Sequence, residues 1–265
     1  MNIEGKTAVL TGATGGIGRA IASQLAAAGA QLVLVGRDPA KLAELAGALE
    51  GRAPVSVAAD LTTGEGRARL REKLDALNVS VLVNCLGVNE LRLFAEQSEA
   101  SIARQVETNL LCPMLVCRDL LGTLQNQEEA LIVNVGSTFG SIGYPGFSSY
   151  CASKFGLRGF TEALRRELAD TSVRVSYVAP RATRTDLNSA RVNSMNEALG
   201  TSTDDPAAVA ATIVSMIRGS HRASRFIGWP EKLFVRINAL LPRIVDKALH
   251  KQLPLIRRFA QMPAK

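Results

Sequence analysis

Residues 7–18 read TAVLTGATGGIG. The first five of these residues are mostly apolar or β-branched, as in a buried strand, and a helical pattern begins at Gly16. Gly12 allows a sharp turn, Gly16 removes a side chain where a pyrophosphate could approach, and Gly18 lets the helix pack close to the sheet. Backbone N–H groups at the start of this helix would face the phosphates. The segment therefore predicts a strand–turn–helix unit that binds a dinucleotide.

The same alternation of strand and helix continues along the chain. Short apolar runs are separated by longer segments with apolar residues at three-to-four spacing, which predicts a parallel sheet covered by helices on both faces. We expect a doubly wound α/β fold. The predicted strands are residues 7–10, 32–35, 55–58, 79–83, 131–135 and 173–178, and the predicted helices are residues 16–28, 39–49, 64–77, 98–121, 149–168 and 206–217.

Composition excludes several classes of protein. The chain has 265 residues, 47% of them apolar and 21% charged, which is typical of a globular protein with a large core. Its four cysteines have no CxxC spacing, so we expect no metal site, no disulfide framework and a cytoplasmic location. The N-terminus does not resemble a signal peptide, and no apolar run is long enough to span a membrane. The two histidines, His221 and His250, lie away from the predicted strand ends, which argues against a Ser-His-Asp hydrolase.

The spacing TGxxxGxG in residues 11–18 resembles that of the short-chain dehydrogenase/reductase family. The resemblance implies a Rossmann fold, a nicotinamide cofactor and oxidoreductase activity. It assigns the cofactor phosphates to the turn, and the expected contacts are Gly12, Thr14, Gly16, Ile17 and Gly18.

A second motif supports the same resemblance. Tyr150 and Lys154 form a Tyr-x-x-x-Lys pair at the start of a helical segment, so they lie on one face, one turn apart. Ser137 follows the fifth predicted strand, and Asn109 lies in the preceding helix. These four residues match the family's catalytic tetrad. Tyr150 and Lys154 are also expected to contact the cofactor.

The resemblance implies a role for each member of the tetrad. Tyr150 is the acid/base, and Ser137 donates a hydrogen bond to the substrate oxygen. Lys154 holds the nicotinamide ribose, and Asn109 holds a water that links Lys154 to solvent. We expect Lys154 and an oxidised nicotinamide to lower the pKa of Tyr150 toward neutrality.

The end of the second strand indicates which nicotinamide cofactor binds. NAD-specific sites usually place a carboxylate there, whereas this chain has Gly36 and Arg37. A guanidinium suits the 2′-phosphate of NADP, so we favour NADP and keep NAD as the alternative. Asp38 is interpreted as the N-cap of the helix that begins at Pro39.

Other strand ends match the family's cofactor contacts. Asp60 and Leu61 follow the third strand, where the family's acid meets the adenine amine. Asn84 and Gly87 lie where the family reads Asn-Asn-Ala-Gly, although Cys85 and Leu86 depart from that pattern. Residues that simply terminate the two strands would explain both segments equally well.

After the sixth strand, Pro180 and Thr185 match the family's pattern, and the resemblance places Thr185 and the backbone of Thr183 beside the nicotinamide carboxamide. All three, Pro180, Thr183 and Thr185, are expected cofactor contacts. Arg181 replaces a glycine of the family, and either a pyrophosphate contact or a solvated side chain would explain it. Residues 186–205 lie where the family has a substrate lid. A set of apolar residues could line the substrate pocket or could be ordinary packing: Leu86, Val88, Phe139, Ile142, Tyr144 and Leu187.

The C-terminus is interpreted as an appendage to a catalytic domain of residues 1–230. The net charge of the chain is +7, and residues 231–265 hold eight Lys or Arg against two acids. They form an amphipathic pattern with a basic flank, which Pro242 must kink or split. Two interpretations stay open: helices docked on the chain's own domain or on a neighbouring subunit, and a surface that meets an anionic membrane or a lipid-like substrate. Nothing in the sequence is typical of nucleic-acid binding.

Together these patterns predict an NADP-dependent reductase of a hydrophobic ketone or aldehyde. The alternative is a nucleotide-binding regulatory protein that associates with a membrane or a partner through its C-terminal helices. The segments 98–121 and 149–168 are the surfaces through which members of the family form dimers and tetramers, so a homodimer or homotetramer is expected.

Overall fold

The computed structural model describes residues 1–219 and 223–262. Its centre is a single seven-stranded parallel sheet with the order β3-β2-β1-β4-β5-β6-β7. The strands are β1 Thr7–Thr11, β2 Gln31–Gly36, β3 Val55–Ala58, β4 Val79–Asn84, β5 Ala130–Val135, β6 Val173–Ala179 and β7 Ser224–Phe226. The helices are α1 Gly16–Ala27, α2 Pro39–Ala48, α3 Gly64–Leu74, α4 Glu99–Val106, α5 Cys112–Gln125, α6 Ser148–Glu167, α7 Ala190–Ala198, α8 Pro206–Arg218, α9 Glu231–Leu240 and α10 Pro242–Ala260.

The predicted doubly wound α/β fold is confirmed. Helices α1, α2 and α8 bury their apolar residues against one face of the sheet, and α3, α5 and α6 cover the other face. Strands β1 and β4 are buried on both faces, which explains why their sequences are continuously apolar rather than alternating. The strand order reverses between β1 and β4, and at such a reversal the loops diverge to leave a crevice at the carboxyl ends of the strands.

Strand β7 was not predicted. It has three residues, and only Phe226 is apolar, so it carries no strand-like pattern. It forms because the backbone of Tyr177–Ala179 on β6 pairs with it. The short strand therefore depends on backbone pairing with the neighbouring strand β6 and not on its own sequence pattern. His221, which the sequence argument used, lies outside the described residues.

The helix predicted at residues 98–121 is interrupted. Residues Glu107–Leu111 form a π-helical turn between α4 and α5. A π turn inserts one extra residue into a helix and commonly marks a functional position. Here the turn contains Asn109, which is fully buried.

The C-terminal residues form two helices that meet at Leu241 and Pro242, at the predicted break. The buried face of the pair includes Val235 and Ile256, whereas Leu240 is 80% exposed. Among the described residues, no helix is both long enough and apolar enough to cross a membrane.

Candidate active site

The glycine-rich turn is shaped by backbone contacts. Gly12 has a φ of +66°, and a Cβ at this position would lie 2.8 Å from the carbonyl oxygen of Cys85. A Cβ at Gly18 would overlap the carbonyl oxygen of Gly12, so α1 packs directly against its own turn. A Cβ at Gly16 would lie 2.6 Å from the Thr185 methyl group. Glycine is therefore required at these three positions, where the turn itself and the loops after β4 and β6 meet around the N-terminus of α1.

Two adjoining clefts follow the carboxyl edge of the sheet. The larger has a volume of about 420 Å³ and the smaller about 210 Å³. Arg37, Asp60 and Leu61 line the smaller cleft. Most of the other expected cofactor contacts line the larger one: Gly12, Thr14, Gly16, Ile17, Gly18, Gly87, Tyr150, Lys154, Pro180, Thr183 and Thr185. The structure thus brings residues from five separate loops to one elongated opening.

Asn84 does not face this opening, contrary to the prediction. Its side-chain nitrogen donates a hydrogen bond of 2.9 Å to Asn134 Oδ1 on β5, and it lies 3.3 Å from Cys117 Sγ on α5. Asn134 in turn donates to Thr161 on α6. The side chain of Asn84 therefore ties the sheet to the helices on one face, because alternate residues of a strand point to opposite sides.

Ser137, Tyr150 and Lys154 meet at the floor of the larger cleft, and all three are buried. The Nζ atom of Lys154 lies 5.9 Å from the centroid of the Tyr150 ring and donates to the carbonyl oxygen of Val135 at 3.1 Å. Ser137 Oγ accepts a hydrogen bond of 3.1 Å from the N–H of Phe139. This leaves the serine proton available to a group in the cleft.

Burial dominates the titration of the two ionisable groups. It raises the pKa of the Tyr150 phenol, and the adjacent Ser137 hydroxyl lowers that pKa in part. Burial also lowers the pKa of Lys154 to about 8, with a small opposing effect from Cys85. The prediction that Lys154 and an oxidised nicotinamide together lower the pKa of Tyr150 concerns the cofactor-bound enzyme and stays a prediction. At neutral pH the site contains a neutral phenol.

Asn109 projects from the π turn toward the loop after β4. Its Oδ1 atom accepts from the N–H of Val88 at 2.8 Å, and its Nδ2 atom donates to the carbonyl of Val88 at 2.9 Å. The same nitrogen donates to Ser153 Oγ at 3.0 Å. Asn109 thus joins this loop to α6 immediately beside Lys154.

Arg181 is not a solvated side chain, which was one of its two expected environments. Its guanidinium forms ion pairs with Asp204 at 2.8 Å and with Glu231 at 3.2 Å, and it donates to the carbonyl oxygen of Trp229. Its side chain is 15% exposed, so it is not a solvated residue. It fastens the first turn of α9 to the loop after β6 and also lines the larger cleft, so the expected pyrophosphate contact stays a prediction.

The smaller cleft has a positively charged entrance. Arg37 is exposed at the end of β2, and Lys41 lies in the first turns of α2 at the edge of the larger cleft. Asp38 is the N-cap of α2, as predicted, because its carboxylate accepts hydrogen bonds from the N–H groups of Ala40 and Lys41. Hydrogen bonds from Thr62 hold the pKa of Asp60 below its usual value, and Arg37 adds to this effect.

Sequence reasoning missed Lys41. The available signal was its position four residues after Arg37, which places both cations at the same end of α2. Of the apolar residues proposed for the substrate pocket, Leu86, Phe139 and Leu187 line the larger cleft and Val88 lines the smaller one. Ile142 and Tyr144 instead pack behind the cleft wall.

Acidic, histidine and cysteine side chains form no cluster of three suited to a metal ion in the part of the chain that the structure describes. All four cysteines are free thiols.

Comparison with known proteins agrees with this geometry. The family model of the short chain dehydrogenases matches residues 6–196. A 3-oxoacyl-[acyl-carrier-protein] reductase of Bos taurus is 36% identical over 184 residues, which cover 69% of this chain and 77% of the relative. Carbonyl reductase family member 4 of Danio rerio is 34% identical, with the same two coverages.

Solved structures show the same architecture. A short chain dehydrogenase/reductase from Burkholderia phymatum, in complex with NAD, superposes with a TM-score of 0.82 and 25% identity, covering 100% of this chain and 99% of that chain. A 3-ketoacyl-(acyl-carrier-protein) reductase from Brucella melitensis, complexed with NADH, gives a TM-score of 0.77 and 27% identity, covering 84% and 96%.

Proposed function

The chain belongs to the short-chain dehydrogenase family of NAD(P)-dependent oxidoreductases, and on that premise we propose that it uses NADPH to reduce an apolar ketone, aldehyde or 3-oxoacyl thioester. The observation that carries this proposal is the convergence of Ser137, Tyr150 and Lys154 on the buried floor of one cleft. The rim of the same cleft is the glycine-rich turn at the N-terminus of α1.

The residues present fit a dinucleotide. The turn between Gly12 and Gly18 offers backbone N–H groups at a helix N-terminus, and a side chain on Gly16 would fill the approach to them. Asp60 and Leu61 would hold the adenine, Lys154 the nicotinamide ribose, and Thr183 and Thr185 the carboxamide. When it is bound, the reduced nicotinamide supplies the hydride.

The chain's own residues supply the proton and the orientation. Ser137 donates a hydrogen bond to the substrate oxygen, which aligns the carbonyl and stabilises the charge that develops there. Tyr150 donates its phenolic proton to the same oxygen. The charge of Lys154 stabilises the resulting phenolate. Asn109 holds the loop after β4 against α6 through its hydrogen bonds to Val88 and Ser153.

The proposed role of Tyr150 in reduction is that of the proton donor. A phenol whose pKa is raised by burial stays protonated at neutral pH, and reduction requires a proton donor. Oxidation of an alcohol would require the phenolate first.

The charges at the smaller cleft favour NADP over NAD. Arg37 and Lys41 supply two cations, and the carboxylate of Asp38 is already bound to the N-terminus of α2. Replacing both cations, in the variant Arg37→Gln/Lys41→Gln, should weaken NADPH binding by about tenfold or more and change NADH binding by less than about twofold. Arg52→Gln is the matched control, because Arg52 is exposed in the loop after α2. Equal losses for both cofactors would contradict NADP selectivity.

The substrate half of the cleft is largely apolar. Phe139, Phe147, Leu187 and Val192 line it near Tyr150. Apolar walls with a few convergent polar groups are typical of small-molecule sites. This supports an apolar substrate, and the names of the relatives point to 3-oxoacyl thioesters as the first class to test.

The decisive experiment measures NADPH oxidation with a panel of ketones, aldehydes and 3-oxoacyl thioesters. Tyr150→Phe should lower kcat by about 1000-fold and leave the Kd of NADPH within about twofold. Residual activity above about a tenth of wild type would contradict the role of Tyr150. Wild-type protein that binds NADPH but turns over no member of the panel would instead favour the nucleotide-binding regulatory alternative.

We further propose that the protein self-associates. Val106, Leu111 and Phe155 are large apolar side chains that remain exposed on the surface formed by α4, the π turn and α6. A second copy of this chain would cover them. Leu111→Arg/Phe155→Glu should convert the oligomer to a monomer in light scattering, and a wild-type monomer would contradict this proposal.

We also propose a cytoplasmic protein with peripheral membrane contact. Free thiols are the rule in a reducing compartment. Leu240, Leu241 and Ile244 form an exposed apolar tip where α9 meets α10, and Arg243 and Lys247 are exposed beside it. Leu241→Glu should lower co-sedimentation with vesicles that contain anionic lipid, and equal co-sedimentation of the variant and the wild type would contradict membrane contact.

A further inference from the structure

Residues 136–147 connect β5 to α6 and are called the serine loop below. The loop begins beside Ser137 and ends three residues before Tyr150. One 3₁₀ turn, Thr138–Gly140, is its regular structure, so most of its conformation depends on contacts with other elements. The position of the Ser137 hydroxyl relative to Tyr150 is therefore set by whatever holds this loop.

Strand β6 holds the first part of the serine loop. The N–H of Gly136 donates to the carbonyl of Val178, and the N–H of Ser137 donates to Tyr177 Oη at 3.2 Å. Tyr177 Oη in turn donates to the carbonyl of Ser137 at 3.1 Å. Tyr177 is buried and leaves no room for a side chain at Gly136. Strand β6 thus fixes the backbone of Gly136 and Ser137, whereas the Ser137 hydroxyl oxygen is held by the N–H of Phe139, farther along the loop.

The second part is held from the C-terminal helices. Asn238 of α9 donates from Nδ2 to the carbonyl oxygen of Ser141 at 2.9 Å. Tyr144 Oη donates to Gln252 Oε1 of α10 at 3.3 Å. Both contacts join the loop to residues about a hundred positions later in the chain.

Apolar packing reinforces these two hydrogen bonds. Ile142 is buried between the loop and the helix pair, where it packs with Val235 and Val245. Farther along α10, Ile256 and Ala260 are fully buried in the cluster that contains Tyr150. The two helices therefore contact residues 141–144 of the serine loop and the cluster around Tyr150.

The helix pair is itself anchored to the nicotinamide side of the cleft. Arg181 forms ion pairs with Asp204 and with Glu231 of α9, and all three side chains are less than one-fifth exposed. Thus α9 is clamped at its first residue and meets the serine loop two turns later, at Asn238.

We propose that α9 and α10 are a positioning element for the reaction, in which Asn238 and Gln252 hold the serine loop so that the Ser137 hydroxyl stays directed at Tyr150 and the substrate oxygen. This inference rests on the proposed function of the same site. Neither residue lines the clefts described above, so each acts through the loop. Displacing a reacting group by about 1 Å can cost about 100-fold in rate, which makes such support necessary.

A double-mutant cycle tests this coupling. Asn238→Asp keeps the shape of the side chain, removes its donor and places a carboxylate against the carbonyl of Ser141. At saturating NADPH and the best substrate of the panel, it should lower kcat by about tenfold and leave the Kd of NADPH within about twofold. In a Ser137→Ala background, the same change should lower kcat by less than about twofold, because the group it positions is gone. Asn126→Asp, on an exposed asparagine after α5, is the matched control.

The second contact provides an independent variant. Gln252→Leu and Tyr144→Phe remove the two partners of one hydrogen bond, so each should lower kcat and the double variant should be no worse than either. Equal losses from Asn238→Asp in the presence and absence of the Ser137 hydroxyl would overturn the proposal, since a purely structural role would not depend on Ser137.

Hydrogen exchange separates this inference from the proposed function. Asn238→Asp should speed exchange of the backbone amides in residues 138–147 and leave those of residues 8–18 unchanged. Unchanged exchange in residues 138–147 would overturn the positioning role. If wild-type protein turns over no substrate, the proposed function fails, and the exchange measurement still decides whether the helices hold the loop.

Discussion

The glycine-rich turn at residues 11–18 and the C-terminal helices α9 and α10 both contact elements of the active site, but they are built differently. The turn depends on glycines that leave no room for a side chain, such as Gly18 against the carbonyl of Gly12. The helices reach the site through side chains, such as Asn238 and Gln252, whose partners lie far away in the chain. Changes to the turn should therefore affect cofactor binding, and changes to the helices should affect stability and the rate.

The largest expected effect comes from the turn. Gly18→Ala forces a methyl group against the Gly12 carbonyl, so NADPH binding should weaken by about 100-fold, and the free energy of unfolding should fall by about 3 kcal/mol. Fluorescence titration and chemical denaturation measure the two quantities. Gly47→Ala is the control, because a Cβ at Gly47 meets open space on α2, and it should stabilise the protein by about 0.5–1 kcal/mol. Equal NADPH affinities and equal free energies of unfolding in Gly18→Ala and Gly47→Ala would contradict the role of the turn.

The next effect compares two faces of α10. Ile256 is fully buried and Ile244 is 54% exposed. Ile256→Ala should lower the free energy of unfolding by about 3 kcal/mol, and Ile244→Ala should change it by less than about 0.5 kcal/mol. Urea denaturation measures both. Equal free energies of unfolding in the two variants would show that α10 is not packed on the rest of the protein. That result would contradict the proposed effect of the C-terminal helices on stability.

The smallest effect concerns pH. Burial lowers the pKa of Lys154 to about 8, so the free enzyme loses this cation as the pH rises through that value. For reduction, kcat/KM should therefore fall above about pH 8, since the cation that favours the phenolate is lost.

Lys154→Arg sharpens this test. Arginine stays charged throughout the accessible range, so the variant should be slower but should lack the decline near pH 8. A decline at the same pH in Lys154→Arg would assign it to another group.

Much of the fold could be predicted from local patterns. Six strands begin and end within one residue of their predicted bounds because parallel strands covered on both faces must be apolar along their whole length. The N-cap at Asp38 and the helix break at Pro242 follow from equally local chemistry. The missed strand β7 has no such pattern, since its pairing with β6 alone makes it a strand.

Part of the site was also predictable, because local sequence patterns mark turns and strand ends. Residues held by a turn or a strand end, such as Gly12 and Thr185, lie at the predicted opening. Asn84 does not, because its face of the strand points toward α5. Arg181 pairs with acids 23 and 50 residues away, and no local pattern marks that choice.

The amino-acid sequence by itself determined the strand and helix segments of the α/β fold, the glycine pattern of the turn and the Tyr150–Lys154 pair, because each is marked by a pattern that spans only a short stretch of the chain. Tertiary structure alone decided the burial of Tyr150, which raises the pKa of its phenol, and the packing of α10 against the cluster around that residue. It also decided which side chains hold the serine loop. Desolvation and long-range packing depend on groups that only folding brings together, so no pattern along the chain records them.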